Sequence, residues 1–231
     1  MTGTNGPDAN RWADIVPPQH PPWGRNVPLT WVTEPDPDYA WLVTELRAFL
    51  DDLAAARPEP AESGELAAAL HAWRERLRRT AGGEDGQVFG RRPDLPSRGH
   101  TMLPKYVVHD VGPETIRATV SFGRYYLGAG EAVHGGVIPL VFDELLGTLT
   151  NFGERQSSRT ASLKVNFRAI TPLDTDLEVI GRIERTEGRK TYVSGELRHG
   201  ELVCADAQAL FIALRPGQMR PAETGPGPGP T

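Results

Sequence analysis

The chain has 231 residues and a formal net charge of -5 at pH 7, with 25 Lys and Arg against 30 Asp and Glu. That balance leaves no dominant basic surface, which excludes a general nucleic-acid binder or a protein held to anionic membranes by charge. With a single cysteine, Cys204, there is no internal disulfide, and no apolar run reaches the 18 residues of a membrane span or the length of a signal sequence, so a soluble cytoplasmic protein is expected.

In chain order, the first 36 residues are rich in Pro, Gly and Asn, with Trp12, Trp23 and Trp31 spaced through them, and are read as an irregular surface segment. Leu42, Leu46, Phe49, Leu50 and Leu53 then recur at helical spacing behind a cap at Asp38, and Pro58 and Pro60 end the pattern. Leu66, Leu70, Trp73 and Leu77 repeat that spacing after Ser63, and Gly82-Gly83 stops it. Residues 82–99 are dense in Gly, Pro, Arg and Asp and have no period, which suits a linker or long surface loop. The expected organisation is an extension over 1–100, a domain over 101–215 and a disordered Gly/Pro tail over 216–231.

Beyond residue 100 the pattern changes to strands, expected at 106–110, 115–122, 161–167, 177–187, 191–199 and 201–214, several with alternating apolar and polar residues. Gly112-Pro113, Glu187-Gly188 and His199-Gly200 supply turns, so the sheet is mostly antiparallel. Cys204 falls in such an alternating segment and reads as a buried thiol rather than a nucleophile. Between early and late strands, residues 137–151 are apolar on almost every face, as in a helix enclosed by sheet. This is an α+β class chain, and one helix wrapped by a long antiparallel sheet is the HotDog arrangement; an unspecified sheet-and-helix layer is the alternative.

The residues that carry chemistry lie at the head of that helix. Gly135 and Gly136 leave backbone N–H groups uncovered where the helix dipole favours negative charge, which makes an oxyanion hole. Asp143 lies two turns on, on nearly the same face, with Gly147 and Thr150 continuing the stripe. A carboxylate inside an enclosed apolar helix is costly without a compensating purpose, so Asp143 is the expected reactive group. Glu144 points about 100° away and is read as structural or as part of the rim. His134 could serve proton transfer, but fixing the loop through a ring hydrogen bond is the preferred role. The other histidines form no cluster with metal-ligand spacing, and no metal is expected. Neither a Gly-x-Ser-x-Gly elbow nor a phosphate-binding loop nor a dinucleotide fingerprint is present. Arg168 and the pair Arg189-Lys190 could receive the phosphates of an anionic ligand.

His134-Gly135-Gly136 with Asp143 nine positions after the His resembles the HotDog acyl-CoA thioesterases of the phenylacetate-pathway type. The stretches 160–167, 187–194 and 209–214 look like the thioesterase superfamily member four branch, and the likeness covers roughly residues 103–214. The resemblance implies an acyl-CoA thioesterase of fatty acid metabolism, active as a homodimer or dimer of dimers, with no cofactor beyond the coenzyme A of the substrate. In that reading Gly135 offers its N–H to the thioester carbonyl from one subunit, while Asp143 and Thr160 approach from the other. Asp143 orients or deprotonates water, or attacks directly to give an anhydride. Gly136, Asn166, Arg168, Arg189, Lys190, Thr191, Tyr192, Val193 and Ser194 match positions that hold the substrate. One departure is Gly128, where many relatives carry Asn or Gln six residues before the His.

Two other functions fit the same pattern. A HotDog hydratase or dehydratase needs a His and an acid at the acyl chain, and the apolar helix offers Asp143 without a His on its face. A non-catalytic acyl-CoA-binding or partner-binding protein would keep the fold and turn over little. Residues 1–100 carry no motif and are assigned no chemistry.

Overall fold

The computed structural model describes residues 36–83, 87–153 and 155–215. Trp12, Trp23, Trp31 and the 216–231 tail lie outside the described residues. Helix α1 spans Pro37–Ala55, and its cap is Asp36, not Asp38: the Asp36 carboxylate accepts the Tyr39 N–H at 3.0 Å, while Pro37 takes the first helical position. Helix α2 spans Pro60–Arg78, starting ahead of Ser63. Pro60, expected as a terminator, opens this helix, and Glu62 reaches back to accept the Glu59 N–H at 2.8 Å.

Six strands follow: β1 Lys105–Val111, β2 Thr115–Ser121, β3 Ser158–Phe167, β4 Leu177–Glu187, β5 Lys190–His199 and β6 Leu202–Ala213, with helix α3, Val137–Thr150, between β2 and β3. They form one sheet in the order β1-β2-β4-β5-β6-β3, every neighbouring pair antiparallel. The chain thus adopts the HotDog fold, with α3 lying across the sheet. Its seat is made by glycine. Gly181 and Gly195 pair across β4 and β5, and a Cβ on Gly181 would fall 2.7 Å from the Leu146 side chain, one on Gly195 2.9 Å from the Phe142 ring. Removing those two side chains lets Ile138, Val141, Phe142, Leu145, Leu146 and Leu149 of α3 bury completely against Ile116, Val179, Val193 and Phe211. Cys204 is buried, and desolvation pushes its thiol up from its ordinary value.

Two expectations are corrected here. First, α3 is not enclosed on every side: Gly136 and Asp143 are exposed, and Val137, Leu140 and Gly147 only half-buried. The sheet covers one side of the helix and ends at β3, which has a single neighbour in the sheet, so the flank of α3 beside β3 stays open. Second, the segment after Gly83 is more than a surface loop. Arg92 is 1% exposed, pairs with Asp94 at 2.6 Å and donates to the Asp36 carbonyl, and Ser97 and Gly99 are buried. Arg47 of α1 donates to the carbonyls of His100 and Leu103, both at 2.8 Å, and Asp51 accepts the Tyr125 N–H at 2.8 Å. Helix α1 is therefore tied to the sheet domain across residue 100, whereas α2 buries no residue at all. Among the described residues no helix is long and apolar enough to cross a membrane.

Candidate active site

The turn before α3 is built by close backbone approach. Leu127 bridges Val133, the Gly128 N–H donates to the Ala132 carbonyl at 2.7 Å, and the His134 N–H donates to the Tyr126 carbonyl at 2.8 Å. A Cβ on Gly128 would stand 2.9 Å from the His134 Cα, so this position accepts only glycine without moving backbone. An Asn or Gln side chain at Gly128 has no room in this loop as it stands. His134 turns its ring back onto the helix end, where Nδ1 accepts the Gly136 N–H at 3.1 Å, and the neutral ring then carries its proton on Nε2. Gly136 is the N-terminal residue flanking α3. The Gly135 N–H has no acceptor among the described residues, and the exposed Phe167 ring lies against this glycine, 3.5 Å from where a Cβ would sit.

Asp143 is met from β3. The Thr160 hydroxyl donates to Asp143 Oδ1 at 2.7 Å, a short contact of the charge-assisted kind. A bulge between Thr160 and Ser162 makes that possible: Thr160 is paired with Phe211, whose side chain is buried beneath α3, whereas two residues further on the register has shifted. Thr160 stands inside β3, which begins three residues before the expected start at 161. Thr150, in the expected stripe with Asp143, is buried and bonded to Ser158 at 3.1 Å instead. Glu144 has a structural position. Its Oε1 accepts the Tyr106 hydroxyl at 2.9 Å and pairs with Arg98 Nη2 at 2.5 Å. Burial and the neighbouring Glu144 charge push the Tyr106 phenol far above its ordinary value.

The residues expected to hold phosphates are divided. Asn166 donates to Asp206 at 2.6 Å and Arg168 pairs with the other oxygen of the same carboxylate, which those two partners hold below the usual range. Asp206 was not among the sequence-predicted residues; its signal is its register opposite Asn166, which only the paired sheet displays. The run 189–194 does not present one surface, because a pleated strand sends alternate side chains to opposite faces. Val193 is buried under α3 and Thr191 pairs with Phe211 on that side. Tyr192 and Ser194 lie on the outer face, where Arg185 stacks over Tyr192 at 3.7 Å and Ser194 donates to Glu184. Arg189 donates to the Ala213 carbonyl at 2.8 Å, and Lys190 is exposed at the hairpin. A cavity of about 340 Å³ lies elsewhere, between α1 and the β1-β2 end, lined by Arg47, Asp51, Lys105, Phe122, Tyr125 and Asp174 among others.

Residues 130–205 match the family profile described as Thioesterase superfamily. Over 96 residues the chain is 30% identical to acyl-coenzyme A thioesterase THEM4 of Bos taurus, covering 41% of this chain and 39% of that protein. The Mus musculus THEM4 gives the same identity over the same length, covering 41% of each. The chain thus spans about two fifths of the length of the curated relatives it matches. A solved thioesterase superfamily protein superposes with a TM-score of 0.65 at 24% identity, over 75% of this chain and 94% of that one.

Proposed function

We propose that this chain, which adopts the HotDog fold, is a thioesterase superfamily member that hydrolyses acyl-coenzyme A thioesters to the free acid and coenzyme A. The observation that carries the reading is the pairing of Asp143 with the Thr160 hydroxyl at 2.7 Å on the open flank of α3, with the unengaged Gly135 N–H at the head of the same helix. The thioester carbonyl accepts the Gly135 N–H, where the helix dipole stabilises the oxyanion as it forms. Asp143 takes a proton from water, the water oxygen adds to the carbonyl carbon, and the tetrahedral intermediate collapses with cleavage of the carbon–sulfur bond, the proton passing to the departing thiolate. Direct attack by Asp143, giving an anhydride that water then opens, uses the same groups.

The resemblance favours a site shared by two chains. Asp143 is seven residues beyond Gly136, about 10 Å along the axis, whereas the oxyanion donor stands within roughly 3 Å of the carbonyl oxygen and the carboxylate within the same distance of the attacking water. In the arrangement the resemblance implies, Gly135 of one chain and Asp143 with Thr160 of another complete the site in a homodimer. Arg189, Lys190, Arg168 and Asn166 are the groups we assign to the phosphates and adenosine of coenzyme A. Gly128, with no side chain facing the site, favours slow turnover or acyl-CoA binding as the second reading.

Thiol release from acyl-CoAs of short, long and aryl type tests the activity; no release above the uncatalysed rate leaves the binding reading. Mixing Asp143→Asn chains with Gly135→Pro chains, which lack the N–H donor, tests sharing. Each parent alone should be folded and inactive, and the mixture should regain activity, because a heterodimer holds one site with both working parts. No rescue in confirmed heterodimers would place the chemistry within one chain.

A further inference from the structure

Among the described residues helix α2 has no part in the candidate site and buries no side chain, yet it carries an apolar seam. Leu66, Leu70, Trp73 and Leu77 recur at intervals of four, three and four, and Leu70, Trp73 and Leu77 are 46, 54 and 61% exposed. A 19-residue helix that buries no side chain among the described residues is marginal in water by itself, since most helix stability comes from tertiary packing. A seam only two residues wide per seven suits a single facing helix and is too narrow for a sheet. The structure keeps that partner from being α1: the matching face of α1, with Leu42, Leu46 and Leu53, is itself exposed, and the two helices share no buried residue there.

The charges choose the occupant. On α2 the acidic residues Glu62 and Glu65 stand in the first turns, and Arg74, Arg76 and Arg78 in the last, with Arg79 following; the one acid among them, Glu75, pairs with Arg78 at 2.5 Å, so that end keeps a net positive charge. The exposed charges of α1, Asp38, Glu45 and Asp52, are all acidic. Two α1 helices would repel in either direction and two α2 helices would repel if parallel, but two antiparallel α2 helices set the acidic turns of one level with the basic turns of the other. We propose that α2 pairs antiparallel with α2 of a second copy, about a two-fold axis at its middle. Leu66 then faces Leu77 of the second copy and Leu70 faces Trp73, while Arg76, already stacked 4.1 Å from the Trp73 ring centre, lays its stem along the seam. Ala67 and Ala69, which flank the seam, let the helices approach closely. The contact is independent of the catalytic reading and adds one step of association to whatever the sheet domain forms.

The experiment uses the full chain with single cysteines introduced in α2, under mild oxidation; native Cys204 is buried and serves as the silent background. In the antiparallel pair two copies of residue 66 stand roughly 16 Å apart along the axis, beyond the reach of a disulfide. Leu66→Cys alone and Leu77→Cys alone should therefore stay uncrosslinked, and an equimolar mixture should give a covalent dimer. Homodimers of Leu66→Cys would mean parallel pairing, and absence of any intermolecular bond would mean that α2 folds back on its own chain; both overturn the proposal. In a second measurement, Leu70→Glu with Trp73→Glu should halve the sedimenting mass while leaving the thermal unfolding of the sheet domain in place, since neither side chain has a buried partner. Equal masses for the variant and the wild type would refute the pairing.

Discussion

Asp143 and Glu144 are adjacent carboxylates with opposite surroundings, and substituting each by its amide should separate chemistry from stability. Asp143 is exposed on the open flank of α3 and its hydrogen bond is with Thr160. Asn keeps the volume and an oxygen to accept that hydroxyl, so Asp143→Asn should leave the melting temperature within a degree or two while removing the proton acceptor or nucleophile. The expected loss in kcat is a hundredfold or more, about 2.7 kcal/mol or greater on the barrier. Glu144→Gln should do the reverse. The Glu144 side chain is 18% exposed and its Arg98 partner 23%, and Tyr106 donates to the same oxygen. Breaking a fully buried pair costs about 3–5 kcal/mol and an exposed one less than about 1; at this burial about 1–3 kcal/mol is expected. In a chain of this size that corresponds to a fall of about 2–12 °C in Tm. Steady-state kinetics on acyl-CoA at a temperature where both variants are folded, with calorimetric Tm values beside them, is the assay. Near-normal turnover by Asp143→Asn, or a large kcat loss in Glu144→Gln without loss of stability, would refute the division of labour and make Glu144 the reactive group.

Other perturbations probe the frame around these two. Thr160→Val deletes the 2.7 Å donor at nearly constant volume, and kcat should fall about five- to tenfold, the worth of a solvent-exposed charge-assisted hydrogen bond of about 1 kcal/mol, with KM unchanged in steady-state kinetics. Gly128→Ala forces a methyl to within 2.9 Å of the His134 Cα, and the required backbone shift should cost about 1–3 kcal/mol in denaturant unfolding together with activity, because His134 fixes the Gly136 N–H. Burial and then the charge of Arg98 hold the His100 imidazole below its ordinary value, so the unfolded chain takes up its proton first as pH falls. The stability contributed by neutral His100 should therefore be present above about pH 6.5 and drain away below it, and His100→Phe should flatten the Tm profile between pH 7.5 and 5; an unchanged slope would remove His100 as the cause.

The sheet was legible because local rules and global packing agree there. Strand β4 matches its expected limits at Leu177 and Glu187, and Gly188 and Gly200 sit in their turns at φ of +59° and +58°. What escaped the sequence depends on pairing. Hydropathy registers that α3 is apolar but not that the sheet ends beside it, so Asp143 was expected inside and stands outside. Asp206 reads as an ordinary polar position of an alternating strand until the register sets it between Asn166 and Arg168. The 82–99 segment reads as a linker because Gly, Pro and Arg are dense, yet Arg92 and Ser97 are buried through contacts with Asp36, Asp94 and the Pro104 carbonyl, partners partly far away in sequence.

That segment also explains how two neighbouring carboxylates come to differ. Ser97 and Arg98 both adopt left-handed backbone, at φ of +52° and +56°, without being glycine, a conformation that costs of order 1 kcal/mol or more per residue and persists only where surrounding contacts over-determine it. Those contacts are present: Ser97 Oγ donates to the Pro104 carbonyl at 2.6 Å and accepts the Tyr106 N–H at 3.0 Å, binding the loop to the start of β1. The strained turn delivers Arg98 to Glu144, and β1 delivers the Tyr106 hydroxyl to the same oxygen. With Glu144 held from two sides, the rotation of α3 about its axis is fixed, and Asp143, one residue earlier and about 100° around, is carried to the flank where Thr160 waits. The N-terminal part of the chain thus acts on the candidate site through the back of the helix, holding Glu144 so that its neighbour Asp143 faces Thr160 on the open flank.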